Sequence, residues 1–254
     1  MTVELTREGH IAFLTLARPQ ARNAVNGDVA QAMEAALDEY EADDDLWVAV
    51  LTAQGSVFCA GADLKEIAAG NARALNTKRG GFGGLVQRER TKPLIAAING
   101  AAVAGGLELV LSCDMAIASE AAVFGLPEVK RSLVAAAGGL FRLPRAIGRS
   151  MAMELILTGD TIDANRACEL GLVNSVVAAE ALMDEARALA ARIACNAPLA
   201  VQASRNIAEQ ALALDDDALW KLSSDGIRDI MKTEDFKEGP KAFVEKRAPV
   251  WQAK

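Results

Sequence analysis

The chain has 254 residues and a formal net charge of −7, so it can bury one large core and has no general attraction for nucleic acid. It contains no basic cluster with interleaved aromatic residues, no apolar run long enough to span a membrane and no secretory signal pattern at its N-terminus. We therefore expect a cytoplasmic protein that neither binds nucleic acid nor inserts into a membrane.

The first half of the chain alternates between strand and helix patterns. Residues 2–7 and 11–16 predict a hairpin, and Asn26 predicts the cap of a helix that runs to about residue 41. That helix has one apolar face, formed by Val29, Met33, Leu37 and Tyr40. Later strands are predicted at residues 46–52, 93–98, 115–119 and 123–124, with short helices starting near Leu64 and Gly106. The alternation predicts a layered α/β core.

The second half is mostly helical, apart from one short strand at residues 173–177. Helices are predicted at residues 138–142, 151–157, 164–170, 179–195, 198–212 and 216–231. Between residues 69 and 90 the pattern is weaker, because two Gly-Gly pairs flank Phe82. We interpret this stretch as a mobile cover over a binding site, with a plain surface connection as the alternative.

Histidine and cysteine offer little for catalysis. His10 is the single histidine and lies in the predicted hairpin turn, so acid–base chemistry near neutral pH falls to carboxylates. The four cysteines, Cys59, Cys113, Cys168 and Cys195, lack the spacing of a metal site, and we expect no metal. Cys59 lies beside a loop of small residues, where packing is favoured over a nucleophilic role because no histidine accompanies it.

Two stretches place an acidic residue just after small residues and at the start of a helix. Ala60-Gly61-Ala62 precedes Asp63, and Gly105-Gly106 precedes Glu108, which would lie one helical turn from Gly105. The first N–H groups of a helix lack internal partners and can hold an oxyanion. The simpler alternative is an acidic residue that only interacts favourably with the helix dipole. A third stretch, Phe124 to Val129, supplies another carboxylate at Glu128.

Taken together and in this order, these stretches resemble the crotonase (enoyl-CoA hydratase/isomerase) superfamily. The motifs are Ala60-Gly61-Ala62-Asp63, Asn99-Gly100 with Gly105-Gly106-Leu107-Glu108-Leu109, and Phe124-Gly125-Leu126-Pro127-Glu128. The resemblance covers nearly the whole chain. It implies a spiral of ββα units with a C-terminal helical trimerisation region. Residues 1–195 would form the core with the acyl-CoA site, and residues 196–254 would serve oligomerisation and part of the CoA site.

The resemblance also assigns roles to residues. The backbone N–H groups of Ala62 and Gly105 would form an oxyanion hole for the thioester enolate, and Glu108 and Glu128 would supply acid–base catalysis. Glu128 would handle the proton at C2, and Glu108 would orient the water and take its proton. Acyl-CoA would be bound by Arg22, Ala24, Ala60, Gly61, Ala62, Asp63, Leu64, Lys65, Gly105, Ala136 and Lys246. Coenzyme A would enter only as part of the substrate, and no other cofactor is expected.

One segment departs from the family pattern. Many hydratases have Pro-Gly-Ala-Gly-Gly after the second glutamate, and here Ala135 and Ala136 replace the Pro and the first Gly. Ala136 keeps its N–H, and we expect it to remain available to the reacting water.

These features favour hydration of a 2-enoyl-CoA by a homotrimer or a dimer of trimers. Two alternatives remain open: another crotonase-type enzyme, such as an enoyl-CoA isomerase or a dehydratase of a polar acyl-CoA, and an acyl-CoA-binding paralogue without turnover. The presence of both glutamates favours the hydratase over an isomerase, which typically works with one. The sequence leaves the acyl chain open.

Overall fold

The computed structural model describes residues 1–254 and contains twelve strands and ten α-helices. The strands are β1 (Val3–Glu8), β2 (Ile11–Leu16), β3 (Val48–Ala53), β4 (Val57–Cys59), β5 (Asn76–Thr77), β6 (Gly81–Phe82), β7 (Leu94–Ile98), β8 (Ala101–Val103), β9 (Met115–Ser119), β10 (Val123–Gly125), β11 (Thr161–Asp163) and β12 (Ser175–Val177). The helices are α1 (Gly27–Ala42), α2 (Leu64–Ala68), α3 (Gly105–Val110), α4 (Gly139–Ile147), α5 (Arg149–Thr158), α6 (Ala164–Glu169), α7 (Leu182–Ala194), α8 (Pro198–Glu209), α9 (Asp216–Ile230) and α10 (Glu234–Glu245).

Each repeating unit contributes one strand to each of two sheets. The larger sheet has the order β1-β2-β3-β7-β9-β12, and the smaller has the order β11-β10-β8-β4. Strands β3, β7 and β9 lie side by side in the larger sheet, and each is followed by a strand of the smaller one, β4, β8 or β10. A short helix follows each pair. The chain therefore winds as a spiral of ββα units, as the family resemblance implies, whereas periodicity alone would have predicted one open sheet.

The core lies on both faces of the larger sheet. In β3, Val48 and Val50 belong to a small cluster against α7, and Ala49 and Leu51 belong to the main core. Because β3 is buried on both faces, its sequence reads as one apolar run without alternation. The predicted helix after Asn26 is confirmed, since the Asn26 side chain accepts a hydrogen bond from the N–H of Val29.

The sequence pattern does not predict strands β4, β5, β6, β8 and β11 or helix α10. Strand β8 consists of small residues whose pattern indicates no strand, and it pairs with β4 and β10 inside the smaller sheet. Helix α10 was not predicted, because Gly239 and Pro240 fall in its interior and both are poor helix formers. Its Thr233 cap was the available signal.

The interpretation of residues 69–90 as one mobile cover is wrong for their second half. Residues 80–86 are buried, and Phe82, Leu85 and Val86 belong to the main core. Gly84 has a φ of +70°, and a Cβ atom there would lie 2.2 Å from the carbonyl oxygen of Ala30. The glycine therefore allows close packing against α1 rather than flexibility. The exposed residues of the segment are 69–74, 76, 78, 79, 87 and 89, and Thr77 and Arg88 are half-buried.

The region of residues 196–254 consists of α8, α9 and α10 and contributes little to the core. Helix α9 contains no buried residue, and α8 contains only Pro198. Large apolar side chains are exposed here at Leu212, Leu214, Trp220, Ile227, Met231, Phe236, Phe243, Val244 and Val250. Its assignment as an oligomerisation region remains a prediction. None of the helices combines the length and the apolar character that crossing a membrane requires.

Candidate active site

A cleft of about 740 Å³ opens where the ends of the ββα units meet the first loop of the chain. Of the predicted residues, the following line it: Arg22, Ala24, Ala60, Ala62, Asp63, Leu64, Lys65, Gly105, Glu108, Glu128 and Ala136. Gly61 and Lys246 do not. The structure thus brings stretches that are far apart in the sequence into one concave site.

Lys246 is the clearest departure from the predicted set. It ends α10 with a φ of 53° and is exposed, away from the cleft of its own chain. Sequence order could not reveal this, because the position of α10 depends on how the C-terminal helices dock.

Gly61 does not line the cleft but packs against the turn before α3. With a φ of +89°, it packs so closely on the turn before α3 that a Cβ atom would lie 2.9 Å from the nitrogen of Gly105. The two loops that carry the predicted oxyanion hole therefore touch through their backbones. Only a residue without a side chain permits this approach.

The two predicted oxyanion donors, the N–H groups of Ala62 and Gly105, lack an acceptor for different reasons. The N–H of Ala62 has no acceptor within the protein, although its neighbours Gly61 and Asp63 both use theirs. Gly105 is the first residue of α3, where the N–H has no acceptor within the helix. Both residues line the cleft, so the pair can serve a developing oxyanion.

Backbone strain marks the turn before α3. Ala104 caps the helix with a φ of 53° and a ψ of −131°, a conformation that L-residues rarely adopt. Such strain persists only where the surroundings enforce it, and it clusters at functional sites. Here it turns the chain so that α3 starts at the cleft.

Side chains hold the loop of Ala62 in place. Arg18 donates a hydrogen bond from Nη1 to Asp63 Oδ2 at 2.7 Å and to the carbonyl oxygen of Ala24 at 3.0 Å. Asp63 Oδ1 caps α2 by accepting from the N–H of Lys65. Val25 and Ala62 form a parallel bridge beside this pair. The Arg18 guanidinium holds the pKa of Asp63 below its usual range, so Asp63 is ionised and structural as well as lining the cleft.

Glu108 is buried in the first turn of α3 and is hydrogen bonded. Its Oε1 accepts from the N–H of Gly139 at 2.9 Å. Burial raises its pKa, and the N–H groups of Gly139 and Ala137 and the charge of Arg142 act against that rise. An acidic residue that only interacts favourably with the helix dipole would not need these hydrogen-bond partners, so the simpler alternative does not account for Glu108.

Glu128 is buried with fewer partners. It lies in a 3-10 helix, Pro127–Arg131, and its Oε2 atom is buried without a hydrogen-bond partner in the protein. Burial, together with the charge of Glu108, raises its pKa to about 7. Near neutral pH this carboxyl can therefore donate or accept a proton, as a general acid or base requires.

The altered segment after Glu128 forms differently from the expectation. The N–H of Ala136 donates to the carbonyl oxygen of Val134 at 2.8 Å, so it is occupied rather than free for water. Ala in place of the usual Gly keeps the N–H group. The tight turn occupies this group in the bond to Val134, so it is not available to water. Ala136 still lines the cleft, and its neighbour Ala137 acts on Glu108 through its N–H, as Gly139 does.

Three cationic side chains line the cleft without forming a salt bridge: Arg22, Lys65 and Arg131. All three are exposed, as a role in binding phosphate groups at the mouth of a cleft requires. Arg131 was missed by the sequence analysis. Its position three residues after Glu128 was the available signal.

An apolar wall also lines the cleft. It consists of Ile67, Leu75, Phe82, Val86, Leu133 and Val134. Leu75, Phe82 and Val86 belong to residues 69–90, which the sequence places over a binding site, whereas the other three lie outside that segment and were not predicted. The wall can accommodate an aliphatic chain next to the polar site.

His10 and Cys59 take no part in the site. His10 stacks on Trp47 at a ring distance of 3.6 Å and hydrogen bonds the carbonyl oxygen of Asp45 through Nδ1. Burial raises the pKa of the Cys59 thiol to about 12, which leaves it protonated and inert. The preference for carboxylates over histidine or cysteine therefore agrees with the geometry.

Known proteins match the chain over its full length. A family model described as Enoyl-CoA hydratase/isomerase matches residues 6–254. A carnitinyl-CoA dehydratase of Proteus mirabilis is 39% identical over 259 residues, covering 100% of this chain and 99% of that protein. An enoyl-CoA hydratase of Mycobacterium tuberculosis H37Rv is 42% identical with a TM-score of 0.95, covering 100% of this chain and 99% of that chain.

A carnitinyl-CoA hydratase of Mycobacterium avium shares 45% identity at a TM-score of 0.77, with 100% of this chain and 99% of that chain covered. The two solved structures thus resemble this chain in both sequence and fold. The chain belongs to the enoyl-CoA hydratase/isomerase family, and it is an acyl-CoA enzyme of the crotonase superfamily.

Proposed function

We propose that this protein hydrates a 2-enoyl-CoA to a 3-hydroxyacyl-CoA. The observation that carries the proposal is the pair of buried glutamates, Glu108 and Glu128, beside the free N–H of Ala62 and the start of α3. An isomerase of this family typically needs only one of these carboxylates. A hydratase needs a base that takes a proton from the water and an acid that gives a proton to C2.

The thioester carbonyl oxygen is placed against the N–H groups of Ala62 and Gly105. Charge moves onto this oxygen when water attacks C3, and each donor then stabilises the transition state by about 3 kcal/mol. Glu108, fixed by the N–H of Gly139, accepts a proton from the water as its oxygen bonds to C3. The electrons of the C2–C3 double bond move toward C2, which takes a proton from Glu128.

Substrate binding uses the rest of the cleft. Arg22 and Lys65 lie at its exposed side and face the phosphates of the CoA, and the apolar wall receives the acyl chain. CoA belongs to the substrate, and the residues of the chain supply the chemistry without a further cofactor.

Assembly completes the proposal. The exposed apolar side chains of residues 196–254 are suited to contacts between copies in a homotrimer or a dimer of trimers. Lys246, remote from its own cleft, would contribute to CoA binding only in such an assembly. Light scattering at micromolar concentration should return three or six times the chain mass of 26.7 kDa. A monomer mass would contradict this part.

A second candidate is the dehydration of a carnitinyl thioester, which two relatives favour by name. Such a substrate carries a quaternary ammonium group. The carboxylates lining the cleft are Asp63, which is paired with Arg18, and the two catalytic glutamates, so no spare carboxylate is available for that cation. This charge distribution supports the neutral enoyl-CoA over the cationic one.

One set of assays separates the candidates. Crotonyl-CoA is followed by loss of the enoyl absorbance, and a 3-enoyl-CoA is run in parallel to detect isomerisation. A matched pair, 4-trimethylammonio-but-2-enoyl-CoA and its neutral isostere 5,5-dimethylhex-2-enoyl-CoA, differs only in charge. We expect kcat/KM to favour the neutral thioester. A preference for the cationic one establishes the second candidate, and no turnover of any substrate contradicts an enzymatic role.

A further inference from the structure

Arg142 is a half-buried cation that pairs with neutral groups. It lies in the first turn of α4, and its Nη1 donates to Ser112 Oγ at 2.9 Å while its Nη2 donates to the carbonyl oxygen of Val86 at 2.7 Å. It forms no salt bridge with any carboxylate. A purely structural arginine at this depth is usually neutralised by an acidic partner.

Arg142 is linked to Glu108 through its bond to Ser112 and through the start of α4. Ser112 Oγ also donates to the carbonyl oxygen of Glu108 at 2.8 Å, just beyond the end of α3. At the other side, the N–H of Gly139, the first residue of α4, donates to Glu108 Oε1. Arg142 thus joins the helix that carries Glu108 to the helix whose first N–H holds its carboxylate.

The surrounding charges give this geometry an electrostatic meaning. Arg142 on α4 is the charged group that acts on Glu108, whereas Glu108 and Arg131 are the charged groups that act on Glu128. Arg142 itself is acted on by Glu209 of α8 and by the cations Arg90 and Arg145. Because its hydrogen bonds end on neutral oxygens, its charge remains available to Glu108.

We propose that Arg142 is a positioning residue that clamps Glu108 and favours its role as the base of the pair. The proposal rests on the proposed function, in which the two carboxyls act as an acid–base pair. It adds a cation to the N–H groups of Gly139 and Ala137, which already act on the Glu108 carboxylate. Arg142 touches neither substrate nor water in this role.

The first test replaces the charge. Arg142→Gln should move the acid limb of the kcat/KM profile for crotonyl-CoA up by about 0.5 to 1 pH unit, because a nearby cation favours the ionised carboxylate. Its kcat should fall about tenfold. Arg142→Lys keeps the charge and should leave the acid limb near that of the wild type.

Arg145→Gln is the matched control. Arg145 lies on the same helix and contacts the same ring, with its guanidinium 5.5 Å from the centre of Phe141, against 5.6 Å for Arg142. It is exposed and makes none of the bonds around Glu108. Because Arg145 acts on Arg142 only through its charge, its removal should move the acid limb by a few tenths of a pH unit at most, so a shift equal to that of Arg142→Gln would overturn the proposal.

A second variant covers the case in which Arg142→Gln fails to fold. Glu209 is exposed on α8, and its negative charge partly offsets the positive charge of Arg142. Glu209→Gln removes this offset, so the acid limb should move down by a few tenths of a pH unit. A limb that stays at its wild-type position in every folded variant overturns the proposal.

An infrared titration of the carboxyl groups in ligand-free protein separates this proposal from the proposed function. It reports the ionisation of Glu108, identified by its loss in Glu108→Gln, whether or not crotonyl-CoA is hydrated. A higher midpoint in Arg142→Gln, or a lower one in Glu209→Gln, supports the role of Arg142. Unchanged midpoints contradict it even if the enzyme is a hydratase.

Discussion

The segments that carry the two glutamates hold their carboxylates in contrasting ways. Glu108 is fixed at both ends, by Gly139 at its side chain and by Ser112 at its carbonyl. Glu128 lies in a short 3-10 helix and leaves one buried oxygen without a protein partner. The difference shows how one cleft can contain a carboxylate that orients water and a carboxyl that carries a proton near neutral pH.

The largest effect is expected when either glutamate is neutralised. Glu108→Gln and Glu128→Gln should each lower kcat for crotonyl-CoA by about a hundredfold or more, because each removes a positioned acid or base. Binding of a saturated acyl-CoA should survive in both, measured by calorimetry. Hydration at the wild-type rate in both variants would disprove the two-carboxylate mechanism.

The same substitutions should differ in their effect on stability. The pKa of Glu128 is raised from 4.5 to about 7, so its stability contribution is complete below pH 4.5 and is lost as pH rises through 7. Above pH 7 the wild type buries a charge that Glu128→Gln does not. We expect this variant to have a free energy of unfolding higher by roughly 1 to 3 kcal/mol at pH 8.

Denaturant melts at pH 5 and pH 8 provide the measurement. Glu108→Gln is the matched control, because it also removes a buried carboxylate but loses the charge-assisted bond from Gly139. Its gain at pH 8 should be smaller or absent. Equal gains for the two variants would remove the contrast between the carboxyls.

A smaller loss of activity is expected from the loop of Ala62. Asp63→Asn removes the charge that pairs with Arg18 and weakens the cap of α2, which should displace the Ala62 N–H and lower kcat about tenfold. Asp160→Asn is a suitable control, since it breaks an exposed ion pair with Lys130 at a similar distance of 2.8 Å, against 2.7 Å. If both variants keep the wild-type kcat, Asp63 has no positioning role.

The smallest effect concerns the two halves of residues 69–90. Amides of residues 80–86 should exchange more slowly than those of residues 70–79, because the former are buried and the latter are mostly exposed. A bound long-chain acyl-CoA should add protection in residues 70–79 only. Fast exchange of residues 80–86 in the free protein would restore the hypothesis of one mobile cover.

Local patterns in the sequence predicted much of the fold and part of the site. The caps at Asn26 and Asp63 and the apolar run of β3 depend on neighbouring residues, so they could be recognised without a structure. The motifs around Gly61 and Gly105 could be recognised because close backbone contact demands small residues there, and the motif around Glu128 was recognised from the family resemblance. The spiral itself followed from the family resemblance and from no periodicity.

Features that depend on distant contacts could not be predicted. The Gly-Gly pairs of residues 80–84 fit flexibility and close packing equally well, and only the contact with Ala30 decides between them. The bonds of Arg142 join residues 30 and 56 positions apart. The bond from the Ala136 N–H to Val134 depends on a turn whose sequence, three alanines, predicts no specific geometry.

Infrared spectroscopy of the ligand-free protein about one pH unit below neutrality tests the contrast between the glutamates most directly. Exposed carboxylates are ionised there, so a protonated carboxyl band reports a buried group. We predict a band that disappears as pH rises through about 7, is absent from Glu128→Gln and persists in Glu108→Gln. A band that is lost in Glu108→Gln and kept in Glu128→Gln would contradict the assignment of base and acid.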